Sequence, residues 1–507
     1  TMCGGTGTAP GGSRAAGIGG GLDGNGTVII TDGDITAKAT GRYGAGIGGG
    51  CGEIPKGTLI GGNGTVTISG GTITEASGGY MAAGIGSGLQ GLGTVTIEGD
   101  AVIKNAQGGE AGAGIGSGTR GNSEIIIRGD AVIENAESKE NGAGIGSGQG
   151  DLYPDGDGMV IDLTVGNVTI EGNAKIENAK SGSGGSGIGG GVIGIGNVII
   201  RGNAQIGNAT GGEEGAGIGG GALGTGDVTI EGNVTIENAQ GGAGAAGIGG
   251  GAETQPDTED TRNKVSIKST EAGSPNITAK GGGVLNNEEA PLPGAAAIGS
   301  GSVADGATEV KSDITVEGKV TIDATSGGNV AIGDSTNGET RFSGLQVGTT
   351  ITRRNAKGDD VSQPGDVVRE PEKPAQPTVT PTEGAEAPSN GSVEVERPVT
   401  VEGLYVTNVL GKQITHTCTQ NGTTLTIRAN GIVASAHLTL GMVRTLKAQG
   451  VKTLVFTTLL SRSTTVSVDA LLAAEPDAPD ETAVVWTHTG PRAALTIDGA
   501  DHSDLLK

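Results

Sequence analysis

Three carboxylates fall within one short stretch, DLYPDGDG, at Asp151, Asp155 and Asp157. Calcium takes roughly 6–8 oxygen ligands at about 2.3–2.6 Å, and a loop of this composition can supply several of them. These aspartates are therefore the candidate metal ligands, and calcium is the one cofactor they suit. Their spacing is not that of an EF-hand loop, and acidic loop tips are ordinarily solvated. His416 and Cys418 in THTC bring zinc-type donor atoms to i, i+2, but a strand neighbourhood with no further cluster does not complete a tetrahedral site.

Other chemistries fail on context. Gly19, Gly21 and Gly24 match GxGxxG, yet no helix follows to receive a pyrophosphate. The phrase GIGSG at 84–88 is not the GxSxG elbow, so Ser87, Ser117 and Ser147 read as corner residues rather than nucleophiles. A polysaccharide lyase or glycosidase needs an acid/base pair, or a metal with arginine, converging from neighbouring segments. Sugar subsites also favour aromatic platforms, and the repeat region offers Tyr43, Tyr80 and Tyr153. The exposed charges belong instead to a register pattern described below. A threonine array suited to ice begins at Thr65/Thr67 and Thr94/Thr96 but is interrupted by Glu124/Ile126 and Asn197/Ile199. The reading is a non-enzyme, with no catalytic or cofactor-binding residues assigned.

The elements that would position any such residue are set by a repeat. The isoleucine of an AGIG or AIG phrase recurs at Ile18, Ile47, Ile85, Ile115, Ile145, Ile188, Ile218, Ile248, Ile298 and Ile332, with a basic step of 30 residues. Self-similarity at such a period signals a stacked array. Within a repeat the period is two: Val228 and Ile230 alternate with Thr229 and Glu231, and Val234, Ile236 and Asn238 with Thr235, Glu237 and Ala239. Such alternation predicts three short strands per repeat, joined by glycine-rich corners. The predicted fold is mostly β: a parallel β-solenoid of about ten turns, right-handed by analogy with parallel crossovers.

Two columns follow from stacking. The residue after the first strand is Glu98, Arg128, Glu171, Arg201, Glu231, Lys268 and Glu317 in successive turns, alternating in sign. Turns stack about 4.8 Å apart, where opposite charges attract and like charges repel, so this column fixes register. Asn105, Asn135, Asn178, Asn208 and Asn238 end the second strand on what alternation makes the inward side. They are expected to form an interior ladder, because buried amides must be hydrogen-bonded. Ala37 and Glu75 precede this column, and Ala279 and Ala324 follow it.

The GAGIGGG-type phrase with interleaved TVTI-type strands resembles the glycine-rich right-handed β-helix repeats of secreted and surface proteins of Gram-positive gut bacteria. The resemblance covers roughly residues 1–345 and implies architecture rather than a particular activity. The asparagine column is similar to the asparagine ladders of pectate-lyase-type β-helices.

Composition bounds the rest. Only seven aromatic residues occur in 507, which suits a narrow coil filled with Val, Ile and Ala rather than a wide core. A net charge of −24 argues against nucleic acid and anionic membrane surfaces, both of which select basic patches. No apolar run is long enough for membrane insertion. Cys3, Cys51 and Cys418 are too few for a disulfide framework, with a Cys3–Cys51 bridge the one pairing to consider. The chain opens TMCGG without an initiator methionine, as expected of a processed N-terminus.

Residues 1–15 read as a lead-in or partial turn, and insertions leave the coil at 51–60, 150–163, 252–263 and 285–293. Residues 346–398, rich in Pro, Glu and Thr, read as an extended linker. Residues 399–507 form a separate α+β module, with a helix in HLTLGMVRTLKAQG presenting Leu438, Met442 and Leu446 and ended by Gly450, and a second short helix at SVDALLAA. Its QGVKTLVF junction resembles modules that accompany such β-helices. The expected role is a non-catalytic structural protein, extracellular or at the cell surface: a stalk, adhesin or fibre subunit that self-associates through coil ends or the module. The alternatives are a glycan-binding surface protein, taking host or dietary glycans, and a polysaccharide-degrading β-helix enzyme.

Overall fold

The computed structural model describes the chain except residues 23, 54–58, 156–157, 253–261, 285–293, 303–311, 329, 334–339, 364, 369–396, 400, 402, 409–412, 430–432, 459–462, 477, 490–491 and 507. It divides into two compact units, Thr1–Ala375 and Gln376–Lys507.

The first unit is mostly β and built of stacked parallel strands, a parallel β-solenoid. The strand Gly93–Ile97 lies between Gly64–Ile68 and Ser123–Ile127, so Val95 stands opposite both Val66 and Ile125. The second strands stack likewise: Ile133 lies opposite Ile103 and Ile176. The glycine phrases form a separate ten-stranded sheet of two-residue strands from Ile18–Gly19 to Ile332–Gly333. Inside runs one continuous core of isoleucine, valine and alanine.

The glycine of each Ile-Gly strand is fixed by the backbone. Its φ lies between +129° and +147° in all ten, a region that side chains strongly disfavour. A Cβ there would also overlap the next turn's backbone, as at Gly86 against the Gly116 carbonyl. The phrase recurs because only glycine satisfies both constraints.

Several expectations are corrected. The asparagines do not point inward: Asn105, Asn135, Asn178 and Asn208 are exposed and Asn238 half-buried, while the following alanines, Ala106 to Ala239, are buried. Strict alternation fails because two outward residues, such as Lys104 and Asn105, separate the inward Ile103 from the inward Ala106. A β-bulge arises only where a turn with this extra residue meets one without it; between turns that share it the strands stay in register, Asn135 opposite Asn178, and the extra residue stacks. It is absent from the first and last turns: Ile35 is two residues from Ala37 but pairs with Ile73, three from Ala76, and Ile277 is two from Ala279 but pairs with Ile236, three from Ala239. Where the extra residue is missing, the asparagine is missing too.

The coil extends past its expected C-terminal end, and its N-terminal lead-in is a partial turn. The lead-in Met2–Gly11 pairs along Gly26–Ala39. Thr350–Arg354, expected to open the linker, stacks on Thr321–Thr325 and buries Ile351. The chain then returns along the outer edge of that last strand, with bridges Arg354–Asp360 and Thr350–Val367. The Arg353 guanidinium makes a bidentate, buried pair with Asp366 at 2.9 and 3.0 Å. No linker starts at 346. The remainder expected as linker lies, for residues 369–396, outside the described residues. No disulfide joins Cys3 to Cys51: Cys3 is exposed, and Cys51 is buried in a hairpin of Cys51–Glu53 with Leu59–Gly61.

Among the described residues, the second unit is an α+β module of two sheets and two α-helices, α1 (Leu440–Ala448) and α2 (Val468–Ala474). Thr439 and Ser467 cap them, each hydroxyl accepting from a first-turn N–H. The buried face of α1 is Leu440, Val443 and Leu446, not the expected Leu438, Met442 and Leu446. Leu438 belongs to the preceding strand Val433–Thr439, which shifts the helical phase. Trp486 and Phe456 are fully buried in this core.

Candidate functional site

Several columns of outward side chains on the coil walls bond from turn to turn. In the charge column, Arg128 Nε donates to Glu98 Oε2 at 2.8 Å and Arg201 Nε to Glu171 Oε2 at 2.8 Å. Lys268 Nζ lies 3.2 Å from Glu317, and Glu231 stands in register between Arg201 and Lys268. The hydrogen bond to Glu98, and then its charge, hold the Arg128 guanidinium above its ordinary pKa.

The asparagine column is continuous. Asn135 donates to Asn105 Oδ1 at 3.3 Å, Asn178 to Asn135 at 3.2 Å, Asn208 to Asn178 at 3.1 Å and Asn238 to Asn208 at 3.3 Å. The same amides reach the backbone of the turn before, Asn135 to the Lys104 carbonyl at 3.0 Å and Asn178 to the Glu134 carbonyl at 3.1 Å. The carbonyl of the residue before each asparagine thus finds its donor in the side-chain amide of the next turn. A second amide column, Asn173, Asn203 and Asn233, was not anticipated; its links are 3.1 and 3.2 Å. Ser87, Ser117 and Ser147 are fully buried and accept from Gly118, Gly148 and Gly191 N–H groups at 3.0–3.1 Å. They tie one corner to the next.

Of the proposed metal ligands, only the Asp151 side chain lies among the described residues. Asp151 pairs with Arg120. Asp155 lies in the hairpin formed by Asp151–Asp155 and Gly158–Asp162, but its side chain and Asp157 lie outside the described residues. No group of three or more His, Cys, Asp or Glu suited to a metal occurs among the described residues. Cys418 is buried in the strand His416–Asn421, and burial pushes its thiol up to about 11.

One concave feature of the coil gathers chemistry that the sequence did not single out. It is a groove of about 600 Å³ between the two corners that flank the Ile-Gly strands. Before those strands, Arg42, Tyr80, Glu110 and Glu140 occupy equivalent places in successive turns, tied by Met81 N–H to the Arg42 carbonyl, Ala111 to Tyr80 and Asn141 to Glu110. The Arg42 guanidinium lies 5.2 Å from the Tyr80 ring centre. The charge of Glu110, and then its hydrogen bond from the Tyr80 hydroxyl, raise the phenol pKa.

Across the groove, Gln90 and Arg120 hold left-handed backbone, each at φ +58°, and Asn141 donates to Gln149 Oε1 at 3.2 Å. The corner demands that conformation whatever residue stands there. Ile193 and Leu223 adopt it in later turns, at +55° and +62°, so the polar character belongs to the earlier turns alone. In-register reading of the corner residues, as applied to the charge column, was the signal that could have found this groove.

A family model described as a beta helix repeat matches residues 28–51 and 66–89. It supports a parallel β-helix family for this coil; the narrower gut-bacterial group is not decided by it. No curated protein matches the chain, and no solved structure does. No helix among the described residues is long and apolar enough to cross a membrane.

Proposed function

We infer that the chain is a non-catalytic extracellular structural protein, a stalk or adhesin scaffold whose coil holds surfaces at a distance. The observation that supports this best is the use of the outward wall positions. Side chains of Glu98, Arg128, Asn135, Asn178 and Asn203 bond to equivalent residues one turn away. Such walls resist slippage between turns, because a shift of one residue would break every rung at once. The return of the chain along Thr350–Arg354 covers part of the last strand's outer edge, which favours separate particles over filaments growing from that end.

Electron microscopy of dilute purified protein, with immunogold labelling of producing cells, tests the reading. Discrete particles and label at the cell exterior are expected. Filaments extending from the Thr350–Arg354 end, or label confined to the cell interior, would contradict it. The mixed lining of the groove beside Tyr80 favours a second reading, a glycan-binding surface protein.

A further inference from the structure

The geometry points to the corner groove as a binding site for a neutral oligosaccharide. This rests on the second reading above and gives it a place and a ligand class. Carbohydrate recognition needs an apolar ring face beside planar groups that hydrogen-bond neighbouring hydroxyls. Tyr80, 39 % exposed, supplies the ring. Glu140 and the side-chain amides of Asn141 and Gln149 supply acceptors and donors, and all of them line the same space. Its volume of about 600 Å³ lies within the range of small-ligand sites.

Spacing and charge narrow the class. The lining recurs at each turn, and turns advance by about 4.8 Å, close to the length of one pyranose unit. A short sugar chain lying along the coil axis would therefore meet the same corner positions at each residue, filled in turn by Tyr80, Glu110 and Glu140 on one side and by Gln90, Arg120 and Gln149 on the other. Three carboxylates, Glu110, Glu140 and Asp151, face the groove against two cations, Arg120, which is paired with Asp151, and Arg42, which lies against the Tyr80 ring, so the carboxylates remain in excess. That balance repels uronic acids and sulfated sugars and leaves neutral hexose, pentose or N-acetylhexosamine chains. The groove is confined to the turns bearing Tyr80, Glu110 and Glu140. In later turns Ile193 and Leu223 replace Gln90 and Arg120, and the hydrogen-bonding corner is lost.

The test is calorimetric titration of the full chain with cellotetraose, xylotetraose, mannotetraose and tetra-N-acetylchitotetraose, with tetragalacturonate as the anionic comparison. The variants are Tyr80→Ala, Glu140→Gln and Gln149→Ala, each checked for an unchanged melting temperature. At least one neutral tetrasaccharide should bind, tetragalacturonate should bind more weakly, and Tyr80→Ala should cost roughly tenfold in affinity. Neutral binding that all three variants leave intact would overturn the site while leaving the glycan reading standing. Stronger binding of tetragalacturonate would overturn the ligand class. No binding of any probe at millimolar concentration would overturn both, leaving only the scaffold reading.

Discussion

The coil and the C-terminal module bury hydrophobic side chains by different means. The coil's core consists of isoleucine, valine and alanine in columns, each residue packed on its own counterpart one turn away. The module packs unlike residues, with Phe456 against Trp486 at 5.7 Å between ring centres and both fully buried. A column has to close over a short radius, so its limits are set by backbone approach, and glycine becomes the residue least open to change. A mixed core fills a wider space, so its limits are set by volume. Sensitivity to mutation should therefore lie in the glycine columns of one unit and the large side chains of the other.

Gly116→Val should have the largest effect. It places a branched side chain at φ +139° and against the Gly146 carbonyl. A loss of at least ~4 kcal/mol is expected, with the coil's unfolding transition lowered or abolished and the module's unchanged by calorimetry. Trp486→Ala should do the reverse, costing the module about 3–5 kcal/mol and leaving the coil's transition in place. Equal loss from both transitions in either variant would break the comparison.

Asp366→Ala tests the end of the coil. It removes the carboxylate that pairs with the buried Arg353 guanidinium, and breaking a buried pair costs about 3–5 kcal/mol where the geometry is as enclosed as it is here. Hydrogen exchange should rise at Ile351 and along residues 350–354 and stay low at Ile133. A rise spread evenly through the coil would contradict a local cap.

Smaller changes probe the walls. Asn178→Ala interrupts the asparagine column between Asn135 and Asn208 and should cost about 0.5–1.5 kcal/mol, read from the coil's melting temperature. The smallest effect concerns pH. Lys38 hydrogen-bonds Glu75 and holds its carboxyl below the ordinary 4.5. The stability from this pair is therefore complete above that ordinary value and is lost as pH falls through the lowered one. Glu75→Gln should weaken the acid dependence of the first turns' exchange rates; an unchanged profile would remove the pair from the account.

Much of the coil was legible because strand side chains alternate with period two, so in-register stacking could be read from residues 30 apart. The charge column illustrates this: Glu98, Arg128, Glu171 and Arg201 lie where the alternating signs put them. The asparagines were assigned to the wrong face because one extra residue per turn inverts parity without altering the 30-residue step. Only the turns that lack it, at Ala37 and Ala279, carried the hint. The cap was hidden by composition, since 355–368 reads as the start of a polar linker and its one buried charge pair joins residues 13 apart. The groove was hidden for a different reason. Its lining comes from two corners and several turns, so no contiguous motif records it.

The continuity of the coil is tested most directly by a distance. Spin labels at positions 128 and 317, in a chain with Cys3 replaced by serine, lie 189 residues apart in sequence but five turns apart along the stack. Double electron–electron resonance should give one narrow distribution near roughly 24 Å, at about 4.8 Å per turn. A broad distribution, or one centred at several times that separation, would contradict a single uninterrupted coil.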